Sequence, residues 1–143
     1  MSLISSSDQV YNPLISIIVL TYNVIDTINN TIQNILNQTY KNTELIIIDG
    51  ASTDGTKQII INHFAKFTYF VSEKDNGIYD AMNKGISRAQ GDWVIFMNSG
   101  DKFATDKVLE AVFHEEKIDA QVYILYGNTV IKNSGKILRP PVR

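Results

Sequence analysis

Four polar clusters in this 143-residue chain each follow an apolar run and carry side chains suited to a charged, hydroxylated ligand. They are Thr21-Tyr22-Asn23, Asp49 to Asp54, Glu73 to Asn76, and Asn98-Ser99-Gly100-Asp101. Asp101 has the sharpest chemistry. A carboxylate just past an apolar strand can ligate a divalent cation while that cation neutralises a diphosphate leaving group. Mg²⁺ fills the rest of its shell with waters and phosphate oxygens, so one protein carboxylate suffices when the ligand brings a diphosphate. The same residue also reads as a turn or helix-capping aspartate. Asn98 would orient a sugar or a metal-bound water, although it cannot replace a carboxylate charge.

The other clusters carry two readings each. Tyr22 offers an aromatic surface to a base, with Asn23 or nearby backbone on the polar edges, or it packs at a strand exit. Asp49 accepts a donor group from a base or ribose, or serves as a turn carboxylate. Glu73, Asp75 and Asn76 either lie over a ligand or form a solvated loop. Asp80 and Lys84 have the i,i+4 spacing of an exposed helix pair, while Lys84 and Arg88 would alternatively face a diphosphate. Ser52 to Thr56 reads most plainly as a loop and helix cap. His63 and His114 sit in apolar helical patterns far apart in sequence and supply no metal signature.

The elements that must position these clusters alternate along the chain. After a polar lead-in over residues 1–13, Leu14 to Thr21 is a branched apolar run suited to a strand covered on both faces. Asp26 or Thr27 is expected to cap a helix running to Thr39, with Ile28, Ile32, Ile35 and Leu36 on one side. Leu45 to Asp49 follows as a second buried strand, closed by a turn from Gly50 to Gly55. Ile60, Phe64 and Phe67 suggest a second helix, Thr68 to Ser72 a third strand, and Ile78, Met82, Ile86 and Ala89 a third helix. Trp93 to Met97 is a fourth strand, and a fourth helix starts at Asp106, with Val108, Leu109, Val112 and Phe113 on its apolar side. Val122 to Tyr126 is a strand candidate, and Asn133-Ser134-Gly135 would turn a terminal hairpin. Such alternation predicts an α/β, mostly parallel sheet flanked by helices, with binding beyond the carboxyl ends of the strands.

Composition narrows the functional classes. Thirteen basic and fifteen acidic residues leave a net charge of -2, which gives no support to a nucleic-acid surface. With no cysteine there is no thiol nucleophile, disulfide or cysteine-ligated zinc site, and a cytoplasmic compartment is expected. Residues 1–5 lack the pattern of a signal peptide, and the longest apolar run is too short to span a bilayer. Peripheral attachment at the inner face of the membrane stays compatible with both facts. The absence of GxGxxG and GxxxxGK[ST] argues against a nicotinamide-dependent oxidoreductase or a P-loop ATPase.

The ordered set Ile15 to Asn23, Gln38-Thr39-Tyr40, Ile48 to Thr56, Ser72 to Ile86 and Gly91 to Asp101 resembles the large inverting family 2 glycosyltransferases of bacterial polysaccharide and cell-envelope synthesis. That resemblance covers most of residues 15 to 128. It implies a Rossmann-like GT-A nucleotide-diphospho-sugar transferase fold, with the nucleotide-sugar-binding part at 14–128. The donor would be a UDP- or GDP-linked sugar held with Mg²⁺ or Mn²⁺, and the acceptor a glycan or lipid-linked hydroxyl. Leu20 backbone, Tyr22 and Asp49 would approach base and ribose, Asp80 the sugar or diphosphate, and Asp101 the metal. Together with Asn23, Lys84 and Asn98 these form the expected site.

Two departures stand out against that resemblance. Many relatives carry paired acids where this chain has Asp49-Gly50, and Asp-x-Asp-Asp where it has Asn98-Ser99-Gly100-Asp101. Each site keeps one carboxylate. The family's catalytic base is expected in a following segment, and residues 129–143 contain no acid and read as the start of an incomplete acceptor-side part. A chain truncated there is expected to expose a sheet edge or apolar surface and to self-associate through it. The rival readings are a nucleotide- or partner-binding module without catalysis, and a nucleotidyltransferase.

Overall fold

The computed structural model describes residues 11–115 and, beyond them, 118, 121, 122, 124, 125, 129, 130, 134, 137 and 138. Its centre is a parallel sheet of β1 (Ile15–Thr21), β2 (Thr43–Asp49), β3 (Tyr69–Ser72) and β4 (Trp93–Asn98), in the spatial order β3-β2-β1-β4. Helices α1 (Ile25–Leu36), α2 (Thr56–Asn62) and α3 (Ile78–Ile86) connect them. This is the α/β architecture that the alternating pattern predicts.

All seven residues of β1 are buried because helices cover both sides of it. Successive side chains of a strand point to opposite faces. Ile15, Ile17 and Val19 accordingly join Ile28, Ile32 and Ile35 of α1 and Ile60 of α2 in one core, while Ile18 and Leu20 join Ala81 of α3 in the other. On β2, Leu45 and Ile47 belong to the first core, Ile46 and Ile48 to the second. The two β-branched strands thus bind two helical layers into one body.

Helix α3 comes close to the sheet through Gly85. A Cβ there would lie 2.5 Å from Cγ2 of Ile18, nearer than carbon atoms approach. Gly85→Ala is expected to destabilise the fold by about 1–3 kcal/mol through overpacking. Adding Ile18→Ala should recover part of that loss, so a double-mutant cycle in urea unfolding checks the contact and additivity would refute it.

Several boundaries differ from the sequence expectation. Neither Asp26 nor Thr27 caps α1; both lie inside its first turn, and the cap position is Val24. The helix stops at Leu36 because Gln38 turns inward, donating to Thr105 O at 2.7 Å and accepting from Leu109 N at 3.3 Å. Helix α2 ends at Asn62, and Phe64 falls in a 3₁₀ turn. The fourth helix begins at Val108, with one turn, α4 (Val108–Glu110), running into a π-helical turn, Ala111–Glu115. Val122, Ile124 and Leu125 lie in no strand, while 123 and 126 fall outside the described residues. The terminal hairpin is present as β5 (Thr129–Val130) antiparallel to β6 (Ile137–Leu138), with Ser134 in a turn between them. Asn133 and Gly135 fall outside the described residues.

Candidate functional site

From β1 the chain steps through β2 to β3 on one side, then crosses back to lay β4 against the other side of β1. In open parallel sheets such a reversal leaves a crevice beyond the carboxyl ends of the two strands at the switch. A cleft of about 340 Å³ lies there. Leu20, Thr21 and Tyr22 leave β1 into it, and Asn98 and Ser99 leave β4. Ile78 and Ala81 of α3 close one side, with Asp75 and Gly77 from the loop before it. Of the expected residues, Leu20, Tyr22 and Asn98 therefore line the cleft.

Tyr22 is 64% exposed, so its ring is open to a stacking partner. Asn23, its neighbour, has a left-handed backbone (φ 48°) and its side chain is engaged locally: Oδ1 accepts from Thr53 N at 2.9 Å. Ser52 Oγ, Thr56 Oγ1 and Asp54 Oδ2 accept in turn from the amides of Asn23, Val24 and Ile25, at 2.8, 2.8 and 3.0 Å. The start of α1 is thus capped by a loop some thirty positions later in sequence. Asp54 also accepts from Thr56 N at 2.9 Å, which supports the capping reading of Ser52 to Thr56, although the α2 cap position itself is Gly55. The Thr56 hydroxyl, foremost, and the Thr56 and Ile25 amides hold the Asp54 carboxyl below its ordinary range.

Asp49 lies under the cleft and is fully buried. Thr21 Oγ1 and Ser52 Oγ donate to its Oδ1 at 2.9 and 2.5 Å, and Ser52 N and Ser72 Oγ donate to its Oδ2 at 3.0 and 2.6 Å. A carboxylate has about four acceptor sites, and here four donors from three strand ends use them. Asp49 ties β1, β2 and β3 together where the site loops begin.

Asp101 is exposed beside the cleft. Its Oδ2 accepts from Asn98 N at 3.1 Å and its own amide donates to Asn98 O at 2.9 Å, so it closes a turn through Gly100 (φ 103°). Its Oδ1 has no hydrogen-bond partner among the described residues. Among those residues no group of three His, Cys, Asp or Glu could hold a metal. A single carboxylate with one open oxygen nonetheless fits a hard cation that takes its remaining ligands from phosphate and water.

Asp80 and Lys84 lie outside the lining and pair with each other at 3.3 Å, and Lys84 also meets Glu73 at 2.9 Å. The amide of Asn76, foremost, and then Lys84 hold the Asp80 carboxyl below its ordinary range; Glu73, followed by Asp80, raises the Lys84 amine. This clasp fixes the loop 73–77 onto α3. Arg88 covers the Tyr69 ring at 4.6 Å, while His63 and His114 bond to Asn29 and Asn12, away from the cleft. Asp75, which the sequence reads either as lying over a ligand or as part of a solvated loop, lines the cleft, whereas Glu73 and Asn76 of the same loop do not.

Residues 16–140 match the sequence model of glycosyl transferase family 2. The putative teichuronic acid biosynthesis glycosyltransferase TuaG of Bacillus subtilis is 38% identical over 103 residues, covering 68% of this chain and 40% of that protein. The UDP-Glc:alpha-D-GlcNAc-diphosphoundecaprenol beta-1,3-glucosyltransferase WfaP of Escherichia coli is 35% identical over 135 residues, covering 90% of this chain and 52% of that protein. Among solved structures, the mannosyltransferase PcManGT from Pyrobaculum calidifontis, in complex with GDP-Man and Mn²⁺, superposes with a TM-score of 0.67 at 26% identity. That superposition covers 75% of this chain and 33% of PcManGT. The chain thus spans about half, or less, of the length of these relatives.

Proposed function

The chain belongs to glycosyl transferase family 2, and from that premise we propose that its cleft binds the nucleoside-diphosphate sugar of an inverting glycosyl transfer in envelope polysaccharide synthesis. The observation that carries this reading is the coincidence of the cleft with the β1/β4 switch point, where an exposed Tyr22 and the Asn98–Asp101 turn follow the carboxyl ends of the two neighbouring strands. A nucleotide base stacks on Tyr22, and the diphosphate extends toward Asn98 and Asp101. The donor is uridine- or guanosine-linked, as the names of WfaP and PcManGT suggest by similarity. The acceptor is a glycan or lipid-linked hydroxyl.

The amides of Ile78 and Tyr79 open α3 and have no hydrogen-bond partner among the described residues. Such a helix start is a favourable neighbour for phosphate oxygens. Asp101 would hold a Mg²⁺ or Mn²⁺ ion, which when bound neutralises the departing diphosphate. Asn98 orients the sugar beside it. In the transfer the acceptor oxygen forms its bond to the anomeric carbon as the bond to the diphosphate oxygen breaks, and the electron pair leaves with the diphosphate. The acceptor proton passes to a base that we assign to no described residue. One displacement inverts the anomeric configuration.

Calorimetric titration with UDP and GDP, with Mn²⁺ present and then chelated, tests the reading. Nucleotide binding is expected to weaken at least about thirtyfold on chelation and by a similar factor in Asp101→Ala, corresponding to about 2 kcal/mol. Binding equally tight in Asp101→Ala would remove Asp101 from the metal site. Absence of binding by both nucleotides would sink the donor-cleft reading.

A further inference from the structure

Two carboxylates belong to the loops around the cleft, Asp49 at the end of β2 and Asp75 in the cleft lining, and they are in opposite states. Asp49 is fully buried, with four donors on its two oxygens. Any hydrogen bond from a ligand would have to displace Thr21, Ser52 or Ser72 from a site no solvent reaches. Asp75 is half-buried in the cleft lining, and a single bond engages it, Gly77 N to Oδ1 at 2.9 Å. Its Oδ2 has no hydrogen-bond partner among the described residues.

Gly50 shows where that oxygen is. A Cβ built on Gly50 would lie 2.9 Å from Asp75 Oδ2 and 3.3 Å from Tyr22 Cδ2. The oxygen and the edge of the aromatic ring therefore flank the same point above the end of β2, and the missing side chain at Gly50 leaves room for both. A base stacked on Tyr22 would bring its polar edge to Asp75.

We propose that Asp75, rather than Asp49, is the specificity-determining carboxylate for the donor base, and that it accepts the ring N–H shared by uracil (N3) and guanine (N1). This rests on the donor-cleft reading above. Cytosine and adenine carry a lone pair at the corresponding ring nitrogen, which a carboxylate repels, so the site discriminates by repulsion as well as by attraction. Hydrogen bonds to charged groups contribute about 1.5–3 kcal/mol, which corresponds to roughly ten- to a hundredfold in affinity. Asp49 acts one layer below, as a positioning residue for the loops.

The test compares UDP, GDP, CDP and ADP with Mn²⁺ on the 143-residue protein, on Asp75→Asn and on Asp49→Asn. The wild type is expected to bind UDP or GDP at least about tenfold more tightly than CDP and ADP, and the two preferred arms identify the base. Asp75→Asn keeps an acceptor for Gly77 N and so should unfold at the wild-type temperature. Its amide is able to donate to the lone pair of cytosine or adenine, so the discrimination should collapse to about threefold or less. In Asp49→Asn the ratio should stand even where all affinities fall together. A wild-type ratio retained in Asp75→Asn, a ratio lost in Asp49→Asn, or a wild-type preference for CDP overturns the assignment while leaving the donor cleft intact. Failure of all four nucleotides to bind the wild type overturns both.

Discussion

Asp49→Ala is expected to cost the fold about 3–5 kcal/mol, on the order of 10 °C in Tm. The substitution leaves three buried or half-buried hydroxyls and the Ser52 amide without the acceptor they share. A buried donor left unsatisfied costs about 1–3 kcal/mol, and partial re-pairing of the hydroxyls with one another keeps the total below the sum. Asp49→Asn retains the shape but turns one acceptor into a donor, so it should lose about 2 kcal/mol. Urea unfolding of both variants checks this, and a change below about 1 kcal/mol in the alanine variant would mean that Asp49 is not the tie between the strand ends.

Gly91→Ala should be comparably severe at the opposite end of the sheet. A Cβ at Gly91 would lie 2.5 Å from Ser16 Oγ and 2.7 Å from both Leu14 O and Ser16 N. Two of those atoms are backbone, so no rotamer change relieves the overlap. The displaced turn would also lose the bonds from Gly91 N to Ser16 Oγ at 2.9 Å and to Glu44 Oε1 at 3.2 Å. Buried Glu44 holds that corner, accepting as well from Ser16 Oγ at 2.5 Å and Gln90 N at 2.6 Å. Overpacking and the lost bonds together suggest about 3–4 kcal/mol. Gly100→Ala is the comparison. At φ 103° with nothing within 4 Å, it should cost only about 1–2 kcal/mol of backbone strain. Equal urea midpoints for the two variants would show that the close approach at Gly91 is relieved cheaply.

The sheet was legible in the chain because β1 and β2 are buried on both faces, which favours runs of branched apolar residues such as Ile17 to Leu20 and Leu45 to Ile48. Helix boundaries were less legible, since their causes are not local. The cap of α1 comes from Ser52, Asp54 and Thr56, and its early end from Gln38 turning inward to Thr105 and Leu109, partners that lie far along the chain from either helix end. At the site, residue type located the strand-end clusters but did not separate a carboxylate that faces the cleft from one that supports it. Asp49 and Asp75 look alike as letters. What distinguishes them is that Thr21, Ser52 and Ser72 converge on the first, and Gly50 makes room beside the second.

The borrowed cap on α1 also sets a rule for recombining this protein with its relatives. Residues 23–25 and 52–56 supply donors and acceptors to one another across the first βαβ unit. They behave as one cassette. A chimera that imports only the later loop strands three amides at the start of a helix, whereas one that moves both segments together carries the complete joint. Loop grafting intended to retune the cleft therefore has to cut outside this pair, and the polar loop 73–77 is the segment that can be exchanged without opening it.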